Sequence, residues 1–262
     1  MKRIVILSDL HCGHLAGLTP PGWQLPSRGE VDDPRIQWGR LQRELYTWFS
    51  KELRALQPID WLVVNGDAID GRGSRSGGSE LLTTDLNEQT RMAAACIEEA
   101  QAANHLIIHG TPYHVGPDGE DWESILAERV GGMAGGHEWL DVNGCVFDFK
   151  HKVGSSGVPH GRHTAVARER LWNVLWNERS WAPKARVIVR SHVHYHAFSG
   201  DPTHIAMTTP ALQGPGSKYG VRQCSGIVDF GFIHFDVDDD GGFSWQAHLL
   251  DIKRTRPKAV KA

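Results

Sequence analysis

Cysteine is scarce and scattered in this chain. Cys12, Cys96, Cys145 and Cys224 form no Cys-x-x-Cys pair, which argues against a zinc knuckle and a disulfide framework. No apolar run approaches the roughly 20 residues of a membrane-spanning helix. The opening MKRIVILSDLH has a basic end but too brief an apolar run for a secretory leader. A basic surplus is also missing: 28 Lys and Arg stand against 31 Asp and Glu, a net charge of −3. Domains that coat nucleic acid are usually clearly basic, so that class is disfavoured, although a local basic groove stays open. The expected setting is the reducing cytoplasm, without a membrane partner.

What the chain does have is histidine, fifteen in all. Histidine ligates transition metals and carries protons, so the positions of these residues matter more than their number. With 262 residues, 40% hydrophobic and 23% charged, the chain can bury a sizeable core. It reads as one domain over residues 1–252, followed by a basic tail at 253–262.

Ile4–Leu7 is a short continuous apolar run, as expected of a strand buried on both faces. A loop rich in proline and glycine follows from Leu18 to Pro34. Ile36, Leu41, Leu45, Phe49 and Leu53 repeat at helical spacing, and Pro58 ends that helix. Trp61–Val64 and Leu106–Ile108 read as further strands, with a helix between them from about Asp85 to Ala103 and a glycine- and serine-rich loop from Gly71 to Gly78. Glu120–Val130 and Thr164–Arg179 read as helices. Asn143-Gly144 between two apolar runs signals a hairpin. Strands are expected at Val187–Val189, Ile205–Thr208, Ile227–Val237 and Phe243–Leu250. The order, strand and helix alternating first and mixed strands after, predicts an α/β layered fold with helices outside and sheet inside.

Several of these strands run straight into polar residues that suit metals. Asp9 and His11 follow the first. Asp67 follows the second, behind Gly66. His151 ends the hairpin strand, and His192 and His194 follow a later one. Residues two apart in an extended chain point the same way, so Asp9 and His11 are expected to reach one ion, and His192 and His194 share the same two-residue spacing. Mixed imidazole and carboxylate donors suit manganese, iron, zinc or nickel better than calcium. Ligands of α/β sheets gather at the carboxyl ends of strands.

The fragments SDLH at 8–11, NGDAID at 65–70, HGTPYH at 109–114, KHKVG at 150–154 and SHVH at 191–194 occur in an order that resembles the calcineurin-like metallophosphoesterase family over roughly residues 3 to 235. The resemblance implies two packed mixed sheets flanked by helices, and two divalent metal ions. Asp9, His11, Asp67 and His194 would hold one, and Asp67, His151 and His192 the other, with Asp67 bridging. It implies a phosphoester hydrolase, a phosphodiesterase in the first instance, in which a metal-bridging hydroxide attacks phosphorus. Substrates range from phosphomonoesters to nucleotides and nucleic acid. The alternatives are a non-catalytic metal-binding scaffold on the same fold, or a nuclease subunit that works with partner proteins.

The third fragment departs from the family pattern. The usual Gly-Asn-His is replaced by Gly110-Thr111-Pro112, with His114 two residues beyond the usual histidine position. Thr111 is a poorer ligand than asparagine, which leaves the second metal weaker or completed by water. His114 is expected to take the catalytic role toward the leaving group. Ser191 stands where glycine is usual and is read as a neutral change. Asp70 is expected near the ligands or on the surface rather than as a ligand. His109 is expected to hydrogen-bond in the interior. His160, Arg162 and His163 fit a substrate rim or a solvated loop about equally, and Trp172 and Trp176 are read as core.

Overall fold

The structure is a computed structural model that describes residues 1–29, 35–73, 77–112, 121–218, 221 and 227–253. Its elements run in chain order as β1 (Lys2–Leu7), α1 (Arg35–Ala55), β2 (Trp61–Asn65), α2 (Leu86–Glu98), β3 (Asn104–Ile108), α3 (Trp122–Val130), β4 (Met133–Gly135), β5 (His137–Val142), β6 (Cys145–Lys152), α4 (Gly161–Glu178), β7 (Val187–Ser191), β8 (Ala197–Asp201), β9 (His204–Thr208), β10 (Phe230–Val237) and β11 (Phe243–Leu250).

The strands form two mixed sheets. One is six-stranded in the order β11-β10-β1-β2-β3-β4, the other five-stranded in the order β5-β6-β7-β9-β8. In the first, β1 to β4 are parallel and β10 and β11 antiparallel. In the second, β6, β7 and β9 are parallel, with antiparallel β5 and β8 at its edges. This is the layered α/β fold that the strand and helix order predicts, and its two mixed sheets are those that the family resemblance implies.

The continuous apolar runs find their reason here. Side chains alternate across a strand, and both faces of β1 are covered. Ile4 and Ile6 join Val63, Phe147, Phe149, Val189 and Phe235 between the two sheets. Val5 and Leu7 face outward against Leu45, Phe49 and Leu53 of α1 and Met92, Cys96 and Ile97 of α2. The other outer face is covered by α4, through Ala165 and Val166 on Ile188 and Ala206. Helices therefore lie on both outer faces, with sheet on sheet in the middle.

Some boundaries differ from the sequence reading. Helix α2 ends at Glu98 rather than near Ala103. Its start is fixed by Asp85, whose carboxylate accepts from the backbone N–H of Asn87 at 2.9 Å and Glu88 at 3.3 Å, an N-cap that satisfies orphan donors. Strands β4 and β8 are edge additions without a readable pattern: Met-Ala-Gly is too short to show alternation, and Ala-Phe-Ser-Gly-Asp is largely polar. Of the Gly71–Gly78 loop, residues 74–76 lie outside the described residues, as do 254–262 of the basic tail.

A charged network is buried between α4 and the second sheet. Arg190 on β7 is fully buried; its guanidinium donates to Asp148 Oδ1 on β6 at 2.7 Å and to Glu169 Oε2 on α4 at 2.8 Å. His137 Nε2 on β5 lies 2.9 Å from that same Asp148 oxygen. Paired charges of this kind lock elements together and are costly to break singly. Here they fix β7, whose end carries two of the candidate ligands.

Candidate metal centre

The loops after β1, β2 and β7 share a conformation that the sequence does not announce. Asp9 (φ 51°), His11 (φ 45°), Asp67 (φ 50°), His192 (φ 74°) and His194 (φ 54°) all lie in the left-handed region. This corrects the expectation that Asp9 and His11 act from extended chain. For residues other than glycine this conformation costs roughly 1–2 kcal/mol each, and such strain concentrates at functional sites. The loops support one another against that cost. Backbone N–H groups of Asp9 and His11 donate to the carbonyls of Gly66 and Asp67, both at 3.0 Å, and that of Asp70 donates to Cys12 at 3.1 Å. His151 differs, sitting inside β6 as a regular strand residue.

The six residues come together as two adjoining groups. In one, Asp9, His11 and His194 each offer a donor atom, all within 4.8 Å of one another; Asp67, His151 and His192 do the same in the other. Asp9 Oδ1 is 3.2 Å from His194 Nε2 and 3.9 Å from His151 Nε2. Asp67 Oδ2 is 3.0 Å from His151 Nε2, 3.9 Å from His192 Nδ1 and 4.0 Å from His11 Nε2. Asp67 thus borders both groups. His192 is partly exposed; the other five are buried.

The donor set fits divalent cations. His11 Nε2 and His194 Nε2 face each other at 3.3 Å, and Asp70 Oδ1 lies 2.8 Å from His11 Nδ1. When Nδ1–H donates to Asp70, the lone pair is left on Nε2, aimed into the group. Likewise His151 Nδ1 donates to the carbonyl of Asn65 at 2.7 Å, which presents Nε2 to Asp67. Orientation of ligating imidazoles by an outer acceptor is a recurrent feature of metal sites. Two buried carboxylates side by side also call for positive charge. Burial opposes a charged His151, but Asp67 and Asp9 outweigh it and raise its pKa to about 9. Burial likewise opposes ionisation of Asp9, yet His194 and His151 hold its carboxyl at about 2.

Close packing fixes the two carboxylates. Thr111 donates to Asp67 Oδ1 through its backbone N–H at 2.6 Å, and its hydroxyl lies 3.1 and 3.2 Å from the two carboxylate oxygens. Thr111 therefore holds Asp67 in place. Gly110 is required for this approach, since a Cβ there would sit 2.1 Å from Asp67 Oδ1. Gly66 (φ 88°) is needed as well: a Cβ would meet the His151 ring at 2.3 Å. Ser8 donates to Asp9 Oδ2, and the backbone N–H of His192 to the same atom at 3.3 Å.

Ser191 is not neutral. It is fully buried, accepts from Asn65 Nδ2 at 2.6 Å and shares a hydrogen bond with Thr209 Oγ1 at 2.8 Å. Asn65 is the residue whose carbonyl holds His151. A glycine at 191 would lack this link between β2 and β7.

The remaining expectations divide. His114 lies outside the described residues, which stop at Pro112 and resume at Asp121. His109 is half-buried, 3.2 Å from Asp121 Oδ2, rather than deep in the interior. His14 accepts from the backbone N–H of Ala16 at 2.9 Å, a structural role. Arg162 stacks 4.1 Å over the ring of Tyr195, beside the His192–His194 loop, whereas His163 bonds the Phe198 carbonyl and His160 is exposed. Trp172 is 46% exposed, which corrects its reading as core. The residues that sequence reasoning passed over are Asn65, whose only signal is that it opens the NGDAID fragment, and Thr209, which lies outside every motif and carried no signal.

No family model matches the chain, and no curated protein matches it. Among solved structures it is similar to Vps29 from Cryptosporidium parvum, at 12% identity over 95% of this chain and 97% of that one, with a TM-score of 0.45. It is similar to an archaeal phosphodiesterase at 12% identity over 94% and 99%, TM-score 0.44. Zinc-complexed Vps29 from Entamoeba histolytica is similar at 10% identity over 94% and 98%, TM-score 0.39. In sheet architecture and in the order of its motifs, the chain resembles the calcineurin-like metallophosphoesterases.

Proposed function

We propose that this chain is a metal-dependent phosphoesterase, with phosphodiesters as its first class of substrate. The observation that carries the proposal is the pair of adjoining donor groups, Asp9, His11, His194 and Asp67, His151, His192, with Asp67 bordering both. In this reading Asp9, His11, Asp67 and His194 hold one divalent ion, and Asp67, His151 and His192 the other. Manganese, iron, zinc and nickel suit the donors.

Bound there, two such ions would activate water near neutral pH and offset charge on the phosphoryl oxygens. The chain's own contribution is preorganisation. Asp70 and the Asn65 carbonyl select the tautomers of His11 and His151, and Thr111 holds the carboxylate between them. Fixed donors of this kind need no rearrangement as charge develops. His114 is assigned the proton to the leaving oxygen, on the strength of its place after Gly110-Thr111. A reducing cytoplasmic setting is supported by free, buried thiols at Cys12, Cys96 and Cys145, and no described helix is long and apolar enough to cross a membrane.

Metal analysis of the purified chain, followed by turnover of an aryl phosphodiester and an aryl phosphomonoester, tests the reading. Two equivalents of metal, activity lost to a chelator and regained with Mn²⁺, and a preference for the diester are expected. The His114→Ala variant should lose roughly 10²–10⁴-fold in turnover, the usual worth of a proton donor. Failure to bind metal would sink the proposal. Metal without turnover of either ester, or of labelled single- and double-stranded DNA, would leave a scaffold.

A further inference from the structure

Helix α4 covers the second sheet with little of its surface. Of its eighteen residues, Ala165, Val166, Glu169 and Asn173 are buried. On the opposite side it presents large apolar groups: Leu171 is 58% exposed, Trp172 46% and Leu175 42%. Arg168 and Glu178 are exposed as well. Arg168, Leu171, Leu175 and Glu178 follow one another at spacings of three, four and three. That is the stripe along which two α-helices pack side by side.

The order of charges along this stripe is self-complementary. Two copies of α4 laid antiparallel about a two-fold axis at the level of Asn173 bring equidistant positions together. Leu171 of each copy meets Leu175 of the other, and Arg168 of each meets Glu178 of the other. A parallel pairing would set Arg168 on Arg168 and Glu178 on Glu178. Both side chains are exposed; the Arg168 guanidinium rests beside Gly154 in the loop after β6 and swings outward to make this contact. Trp172 flanks the seam, and large aromatic and Arg side chains are the usual anchors of such interfaces.

We propose that the outer face of α4 is an isologous dimer interface, closed by a second copy of this chain. The reading does not depend on the metal centre. Other occupants fit less well. A polynucleotide would meet Glu178 beside the apolar ridge. A membrane surface favours a polar face rich in Lys and Arg above a broader apolar one, not a narrow stripe ended by opposite charges. Eighteen residues of helix are about 27 Å long, a contact at the small end of specific interfaces. An affinity on the order of micromolar is therefore expected.

Sedimentation velocity of the full chain from about 1 to 100 μM tests the proposal through charge reversal. The wild type should move from one chain mass toward two across that range. Arg168→Glu and Glu178→Arg should each weaken association about tenfold or more, since each sets like charges together at both ends of the seam. The double variant should restore it. Both side chains are exposed, and circular dichroism and thermal melting should be unchanged in all three. A chain that stays monomeric throughout overturns the proposal, whether or not its tryptophan emission responds to oligonucleotide or anionic vesicles. So does a dimer indifferent to either reversal, or one that the double variant fails to restore.

Discussion

Asp70 lies 2.8 Å from Nδ1 of His11, across a separation of 59 residues. The contact sets which ring nitrogen of His11 carries the proton. Its Nε2 is then left as a lone-pair donor facing His194.

The Asp70→Asn variant is expected to keep the fold and lose metal affinity. An amide can present its N–H₂ instead of its oxygen, and the preference for the correct tautomer disappears. Loss of an outer-shell carboxylate of this kind typically costs 10–100-fold in affinity or activity. Isothermal titration with Mn²⁺ or Zn²⁺ reads this directly; unchanged affinity would show that Asp70 does not orient His11 functionally.

Gly110→Ala should disrupt the centre more sharply than any conservative ligand change. The added methyl would lie 2.1 Å from Asp67 Oδ1 and 2.4 Å from the Asp67 backbone nitrogen. Asp67 must shift, and with it the carboxylate that borders both groups. Metal stoichiometry should fall below that of the wild type, with turnover of an aryl phosphodiester reduced at least tenfold, on the scale that misplacement of a reacting group by about 1 Å produces. Full stoichiometry and full turnover would show that Asp67 tolerates the shift.

Ser191→Gly removes the hydroxyl between Asn65 and Thr209. Leaving buried polar groups unsatisfied costs about 1–3 kcal/mol. The expected result is a lower melting temperature together with weaker metal binding at the group containing His151, because Asn65 carries the carbonyl that orients that ring. Ser191→Thr, which restores a hydroxyl, should recover metal binding more than stability. A wild-type melt and wild-type affinity in Ser191→Gly would refute the link.

Acid stability should depend on Asp148. Burial pushes its carboxyl up, but His137 and Arg190 outweigh burial and hold it at about 2, below the ordinary 3.8. The folded-state pKa is depressed, so the contribution is complete above pH 3.8 and is lost as pH falls toward 2. Its size is about 2 kcal/mol. Chemical denaturation between pH 5 and 2 should show this loss. Asp148→Asn should be less stable at neutral pH, since it weakens the pairing of the buried Arg190, and should show a shallower slope across that window. A slope unchanged by the substitution would assign the acid sensitivity elsewhere.

Much of the fold was legible because apolar runs and turn residues report local conformation. Ile4–Leu7 and Val187–Val189 could be read as strands buried on both faces, and Asn143-Gly144 as a hairpin turn. Edge strands β4 and β8 could not be read, because they depend on a neighbour's hydrogen bonds rather than on their own side chains. The candidate ligands were legible as residue types placed after strands. Their left-handed backbone was not, since most aspartates and histidines lie elsewhere and contacts with loops from other strands hold these ones there.

The sequence by itself determined which donors this protein owns, and in what order: Asp9, His11, Asp67, His151, His192 and His194, with Thr111 where asparagine is usual. Tertiary structure decided what those donors face. It set Asp70 against His11 and Ser191 between Asn65 and Thr209. It also placed Thr111 on the Asp67 carboxylate and turned Leu171, Trp172 and Leu175 outward. Each of these follows from contacts between segments far apart in the chain, and local preference along the backbone holds no record of a partner that only folding brings near.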